Sequence, residues 1–404
     1  MRIVLSLTFI LLLISCQHKE EKTVFDDIFQ EGSDQFNSVI EEKKKFEVQI
    51  LFSPIERHED SIAIEDHFFN YRPGEYFYPA STVKMPVAFM ALQKLEELKK
   101  AGIEIDRNTP LRIDSIRPPQ TAVFIDSTNT GNKPTIGHYI DKIFAVSDND
   151  AYNRLYEFCG SDYINAGLKG KGIFTNSRII HRVGVSGFSY EENKHTPPIH
   201  FLDDAGNVIY TSEKITTQGN HITIVDKTTK GISYIDDDDN KIEQPFDFSK
   251  KNFINIRDLQ ESLRRLIFPE LYYSGEEYKM SDDDRAFVIE SMSKLPKDHP
   301  YLEGETDEYY DGYVKFFLFG GSKEPIPEHI IIRNKVGYAY GYLTDCAYIQ
   351  DTKEDIEYFL TATIHVNENQ TYNDGIYEYD DIGIPFLAEL GRLAHDYMIK
   401  NKKQ

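Results

Sequence analysis

Apolar positions along this chain repeat with two periods, and the periods change over in order. Residues 46–52 carry a short apolar run interrupted by Glu47 and Gln49, which reads as a strand. Residues 61–64 and 68–71 continue as strands, with Arg72-Pro73-Gly74 as the turn that follows. Over residues 81–100 the period lengthens. Val83, Val87, Met90, Ala91, Leu95 and Leu98 recur at three- and four-residue steps, predicting a helix that Gly102 ends. Helical spacing continues over residues 135–146, 151–159, 256–267 and 284–293. Strand-like runs rich in Ile, Tyr and Thr return at 328–335, 338–350 and 356–366, and a last helix covers 384–399. Strands from both chain ends joined through a helical middle predict an α+β fold: one antiparallel sheet formed by the two ends, with helices packed on it.

Between about 190 and 255 the pattern breaks. Short β-like runs at 208–210, 221–225 and 231–234 alternate with Gly, Asn and Asp, which predicts a β-rich insertion within the domain and not a second core. No Gly/Ser- or Pro-rich linker and no internal repeat divides residues 46–404, so they are read as one domain. Residues 17–45 are polar and charge-rich, as a tether would be. Before them, Met1-Arg2 precedes an apolar run over 4–14 that is too short to span a bilayer. It ends at Ser15-Cys16, followed at once by polar Gln17-His18-Lys19. This resembles a bacterial lipoprotein signal, which implies cleavage before Cys16, lipid on its thiol, and an outer-membrane anchor facing the periplasm. An ordinary secretory signal with an incidental Cys16 is the alternative.

The formal net charge of −22 argues against a nucleic-acid partner and against a polybasic membrane patch. The acidic runs at 236–239, 282–284 and 303–311 read as solvated loops, and none has EF-hand spacing. Cys159 and Cys346 sit in apolar company and read as buried free thiols. No HExxH or CxxC occurs, so neither a metal nor a cofactor is implied.

The candidate chemistry starts at residues 78–90, YPASTVKMPVAFM. Ser81 falls in the opening turn of a predicted helix, where free backbone N–H groups favour a developing alkoxide. A three-residue step puts Lys84 on the same helical face. To take the serine proton, Lys84 must be buried or crowded by another cation, since an exposed lysine is protonated at pH 7. Alone the pair says little: Ser291 and Lys294 repeat it late in another predicted helix. Two further pieces follow, Ser147-Asp148-Asn149 at a helix–helix junction and Lys335-Val336-Gly337 on a predicted strand. Taken singly, the first reads as a helix cap and the second as a gatekeeper on an edge strand.

In this order the three motifs resemble the penicillin-recognising serine hydrolases. SDNDAYNRL, which includes Asn153, and IRDLQESLRRLI resemble helices of the class A β-lactamases in particular. The resemblance implies a β-lactamase/transpeptidase-like fold and an acyl-enzyme on Ser81. Lys84 would assist the proton's departure and Ser147 would relay it to the leaving nitrogen. Asn149 would hold the substrate's side-chain amide, and Lys335 with Ser147 would meet its carboxylate. The N–H groups of Ser81 and Tyr338 would form the oxyanion hole, and Gly337 would let the strand come close to the ligand.

Two departures qualify the activity. Val336 replaces the hydroxyl residue usual in the third motif. The family's deacylating glutamate follows an Arg-containing stretch, but after Arg182 the expected position falls among Gly and Ser. Glu191 and Glu192, just before Asn193, are the nearest carboxylates and the candidate deacylation base. Three readings follow: hydrolysis of β-lactam-type amides; a D,D-peptidase, penicillin-binding or esterase-like enzyme with slow deacylation; or a non-catalytic envelope lipoprotein binding cell-wall or glycan ligands.

Overall fold

The structure, a computed structural model, describes residues 22–305 and 307–402. The signal-like segment and Cys16 lie outside the described residues. Two short helices come first, α1 (Val24–Ile28) and α2 (Asp34–Glu41). Strands β1 (Gln49–His58), β2 (Ser61–Ile64) and β3 (His67–Phe69) follow. Helices α3 (Lys84–Lys100), α4 (Ile136–Val146), α5 (Asn149–Cys159), α6 (Ser161–Gly170), α7 (Ile256–Ile267) and α8 (Asp282–Ser293) make the middle. The chain closes with β4 (Ile330–Ala339), β5 (Tyr342–Asp351), β6 (Ile356–His365) and α9 (Ile384–Lys402).

The main sheet has the order β4-β5-β6-β1-β2, with β3 also on β1, and its pairs are antiparallel. Leu51 of β1 faces Thr361 of β6, so both chain ends build the centre of the sheet, as the pattern predicts. Helix starts coincide with side-chain caps. Thr135, Asp148, Asn255 and Ser281 accept bonds from His138, Ala151, Asp258 and Asp284 N–H respectively, at 2.8–3.1 Å. Ser281 therefore starts α8 two residues before the periodic run. Helix α6 carries no pattern that the sequence reading caught. The break between β4 and β5 also differs from the predicted one. Tyr340 (φ +55°) and Gly341 (φ +80°) form the hairpin turn, so Lys335, Gly337 and Tyr338 share one strand.

The sheet is buried on both faces. On one, α3 is almost wholly enclosed from Met85 to Leu92 and packs with residues of α4, α5 and α7. On the other, α9 packs with Phe316 to Leu318 and the amino-terminal helices. That last contact corrects the tether expectation. Phe25, Ile28, Phe36 and Val39 are buried, and Phe36 stacks on Phe386 of α9 at 5.1 Å. The charged residues of this segment cover one face while its apolar residues fill the other, a helical period hidden by its overall polarity. Replacing Phe36 by Ala is expected to cost about 3–5 kcal/mol in urea unfolding. A tether would show no change.

Within 190–255 the strands are two to five residues long and attach to the body. Ile199–Leu202 pairs with Val208–Ser212 and also with Leu111–Ile113. Ser233–Ile235 pairs with Lys241–Ile242 and with remote Thr371–Tyr372. Residues 221–225 do not form the expected strand; Arg178 holds the Thr223 carbonyl at 2.8 Å instead. Cys159 and Cys346 are buried free thiols, and burial raises both pKa values.

Candidate active site

Ser81 lies in a 3-10 turn, Ala80–Val83, that leads into α3, and not in the α-helix itself. Thr82 Oγ1 donates to Pro79 O at 2.6 Å and pins the turn. Ala80, immediately before the serine, holds φ +46°, a conformation a non-glycine residue adopts only where its surroundings impose it. Strand β4 lies directly against this turn. A Cβ at Gly337 would stand 2.6 Å from Ser81 N and 2.8 Å from Pro79 O. The glycine is therefore required for contact between strand and turn.

Lys84, the first residue of α3, is fully buried. Its Nζ donates to the Ser147 carbonyl and to Asn149 Oδ1 (2.7 Å), and lies 3.3 Å from Ser147 Oγ. Burial, then the neighbouring Lys335 charge, push its pKa well below the usual lysine range, with Asp148 opposing. All three of its hydrogen-bond partners lie on Ser147 and Asn149, so Lys84 ties the start of α3 to the junction between α4 and α5.

Ser147 ends α4 in the left-handed region (φ +58°), which turns its carbonyl and side chain toward Lys84. Asp148 is structural: its Oδ1 accepts Ala151 N–H at 2.8 Å and caps α5. Lys335 Nζ donates to Ser147 Oγ at 2.8 Å and to Val336 O at 2.7 Å. Ser147 Oγ thus accepts from both Lys335 and Lys84. Burial lowers Lys335 to about 7; Asp345 opposes this and Lys315 adds to it. Sequence reasoning missed Lys315, which is buried behind β4. It donates to Met292 O, Ile332 O and Asn334 Oδ1 at 2.8–2.9 Å, and Asn334 in turn donates to Asp345. No local pattern around Lys315 could have revealed it.

Ser81, Ser147, Asn149, Gly337 and Tyr338 line one cleft of about 520 Å³, while Lys84 and Lys335 are buried behind its wall and bond the Ser147 hydroxyl there. Tyr340, Asn373 and Tyr377 complete a wall that the sequence did not suggest. Ser291 and Lys294 do not line it.

Glu191 and Glu192 are not brought to the cleft, which corrects their candidacy. Glu191 is paired with Lys194, and Glu192 with Arg117 at 2.9 Å. The loop that carries them is fixed from behind: Asn153 bonds both Val183 N and Val183 O, and Arg182 pairs with buried Glu157. Two residues past Arg182 stands Gly184 (φ +59°), where a Cβ would meet Asn149 Nδ2 at 2.1 Å. Among the described residues, no carboxylate lines the cleft.

A two-ended antiparallel sheet, a helical layer and a cleft lined by Ser81 and Ser147, with Lys84 and Lys335 bonded to Ser147 behind it, fit a hydrolase of the serine β-lactamase type, as the family match shows. The chain belongs to the β-lactamase enzyme family, whose model matches residues 33–398. A search of curated protein sequences finds no match. Similar solved structures include a class A β-lactamase from Mycobacterium abscessus, at 13% identity and TM-score 0.46, covering 89% of this chain and 97% of that one. An ancestral class A β-lactamase is 14% identical at TM-score 0.49, covering 90% and 99%. A β-lactamase from Xanthomonas campestris is 14% identical at TM-score 0.48, covering 93% and 98%.

Proposed function

We propose that Ser81 is the nucleophile of an acyl-transfer hydrolase acting on β-lactam-type amides, and that its acyl-enzyme is long-lived. Ser81 Oγ attacks the carbonyl carbon as its proton passes to Lys84 Nζ. The C–N bond then breaks, and Ser147 delivers a proton to the leaving nitrogen. Lys335 offers charge to the substrate carboxylate, and Asn149 an amide to its side chain. The observation that carries this reading is Lys84: a buried amine held by Ser147 and Asn149, one turn from a serine that lines the cleft. The slow second step rests on the cleft lining, which among the described residues holds no carboxylate to activate water.

A chromogenic cephalosporin tests both halves. About one equivalent should open in a burst, followed by slow turnover, and Ser81→Ala should give no burst. Fast sustained turnover would refute the stalled intermediate; no burst from wild type would refute the acyl-enzyme.

Acylation should also depend on pH from both sides. The rate falls with falling pH as Lys84 takes up a proton. It falls again as pH rises through about 7, where Lys335 loses the charge that meets the substrate. Labelling rates across pH 5–9 check this expectation, and a flat profile contradicts it.

We further propose that Cys16 carries lipid and holds the enzyme at the envelope. Labelled palmitate should enter the wild-type protein and not Cys16→Ser.

A further inference from the structure

The cleft does not end at the nucleophile. A second cavity of about 720 Å³ adjoins it, and the two share Tyr78, Val183, Gly184, Tyr340 and Asn373 as walls. Gly184 is the doorway: it lines both cavities, and any side chain there would run into Asn149. The first cavity alone has the volume of an ordinary small-molecule site. The second is extra room, and the insertion supplies three of its charged walls, Asp237, Lys250 and Lys251.

Its charge is opposite to that of the molecule. In a chain of net charge −22, this chamber carries two amines against one exposed carboxylate. Arg182 also lines it, but its guanidinium is committed to Glu157 and to the His195 carbonyl. Among the described residues, neither Lys250 nor Lys251 has a carboxylate within ion-pair distance. Lys250 Nζ stands 5.7 Å from the Tyr190 ring and Lys251 Nζ 5.8 Å from that of Phe246. Lys251 is half-buried, and its burial lowers its pKa. Asp237 attracts Lys251 from beyond ion-pair distance, so two amines share one exposed carboxylate, and this excess of positive charge favours an incoming anion. Aromatic rings line the chamber as well: Tyr78 stacks with His181 and meets Tyr340 edge-on at 5.1 Å.

We propose that this chamber is a specificity site for the substrate's acyl-side substituent, an extended chain of peptide size ending in a carboxylate that Lys250 and Lys251 bind. The proposal rests on the Ser81 acyl-enzyme reading. The substituent would pass Gly184 beside Asn149 and lie along Tyr78 and Tyr340, with its carboxylate at the insertion. The natural substrate is then longer than a bicyclic lactam.

The test uses two penicillins with one nucleus, one bearing a side chain that ends in a carboxylate and the other the matching neutral amide. Ser81 labelling rates are measured by intact mass in wild type and in a Lys250→Gln/Lys251→Gln variant. Both substitutions leave the backbone bonds of Lys251, to Phe248 and from Arg178, in place. Wild type should label about tenfold or more faster with the carboxylate probe. The variant should lose that preference and keep its rate on the neutral probe. Equal rates in wild type, or equal slowing of both probes in the variant, would overturn the proposal. If neither probe labels wild type, the acyl-enzyme reading fails instead. Calorimetric binding of the ring-opened carboxylate probe to Ser81→Ala, with and without the two lysines, then decides the chamber: lysine-dependent binding supports it, and lysine-independent or absent binding rejects it.

Discussion

Lys84→Met is expected to slow covalent labelling of Ser81 by a penicillin about 10²–10⁴-fold, the range for loss of a positioned general base. Methionine has nearly the length and volume of lysine, so the buried channel beside α3 stays filled. The lost N–H bonds leave the Ser147 carbonyl and Asn149 Oδ1 without that donor. Both residues line the cleft, where water can replace it. The variant should therefore fold, which a thermal melt will show, and fail in chemistry. Labelling within tenfold of wild type would mean that another group takes the serine proton.

Gly337→Ala is expected to cost about 10²–10³-fold in the same assay, the scale of one lost oxyanion donor. The added methyl would stand 2.6–2.8 Å from Ser81 N, Pro79 O and Thr82 N, all backbone atoms of a pinned turn. Strand and turn must separate, and the N–H groups of Ser81 and Tyr338 separate with them. Because β4 is paired along its length with β5, the fold should persist. Retention of more than about a tenth of wild-type labelling would show that the spacing does not matter.

Much of this was readable in the chain. The three motifs stand at a turn, a helix junction and a strand, and each has a local cause that sequence carries: a 3-10 entry to an apolar helix, a capped α5, an apolar strand with a glycine. Ile256–Ile267 was legible to the residue because a strong apolar stripe coincides with an asparagine cap. What escaped was long-range. Phe25 and Phe36 look like stray apolar residues in a charged segment until α9, some 350 positions later, covers them. Lys315 reads as a surface lysine until Ile332 and Asn334 close over it. Glu191 and Glu192 were nearest in sequence to the expected base, yet the bonds of Asn153 and Arg182 fix the loop so that Gly184 faces the cleft. Sequence distance gave no account of which way that loop turns.

An intact-mass time course after mixing with benzylpenicillin, with peptide mapping of any adduct, tests the central claim most directly. The expected result is a stoichiometric adduct on Ser81 that decays over hours, absent from Ser81→Ala. An unmodified mass in wild type after prolonged incubation, or an adduct mapped to any other residue, would contradict it.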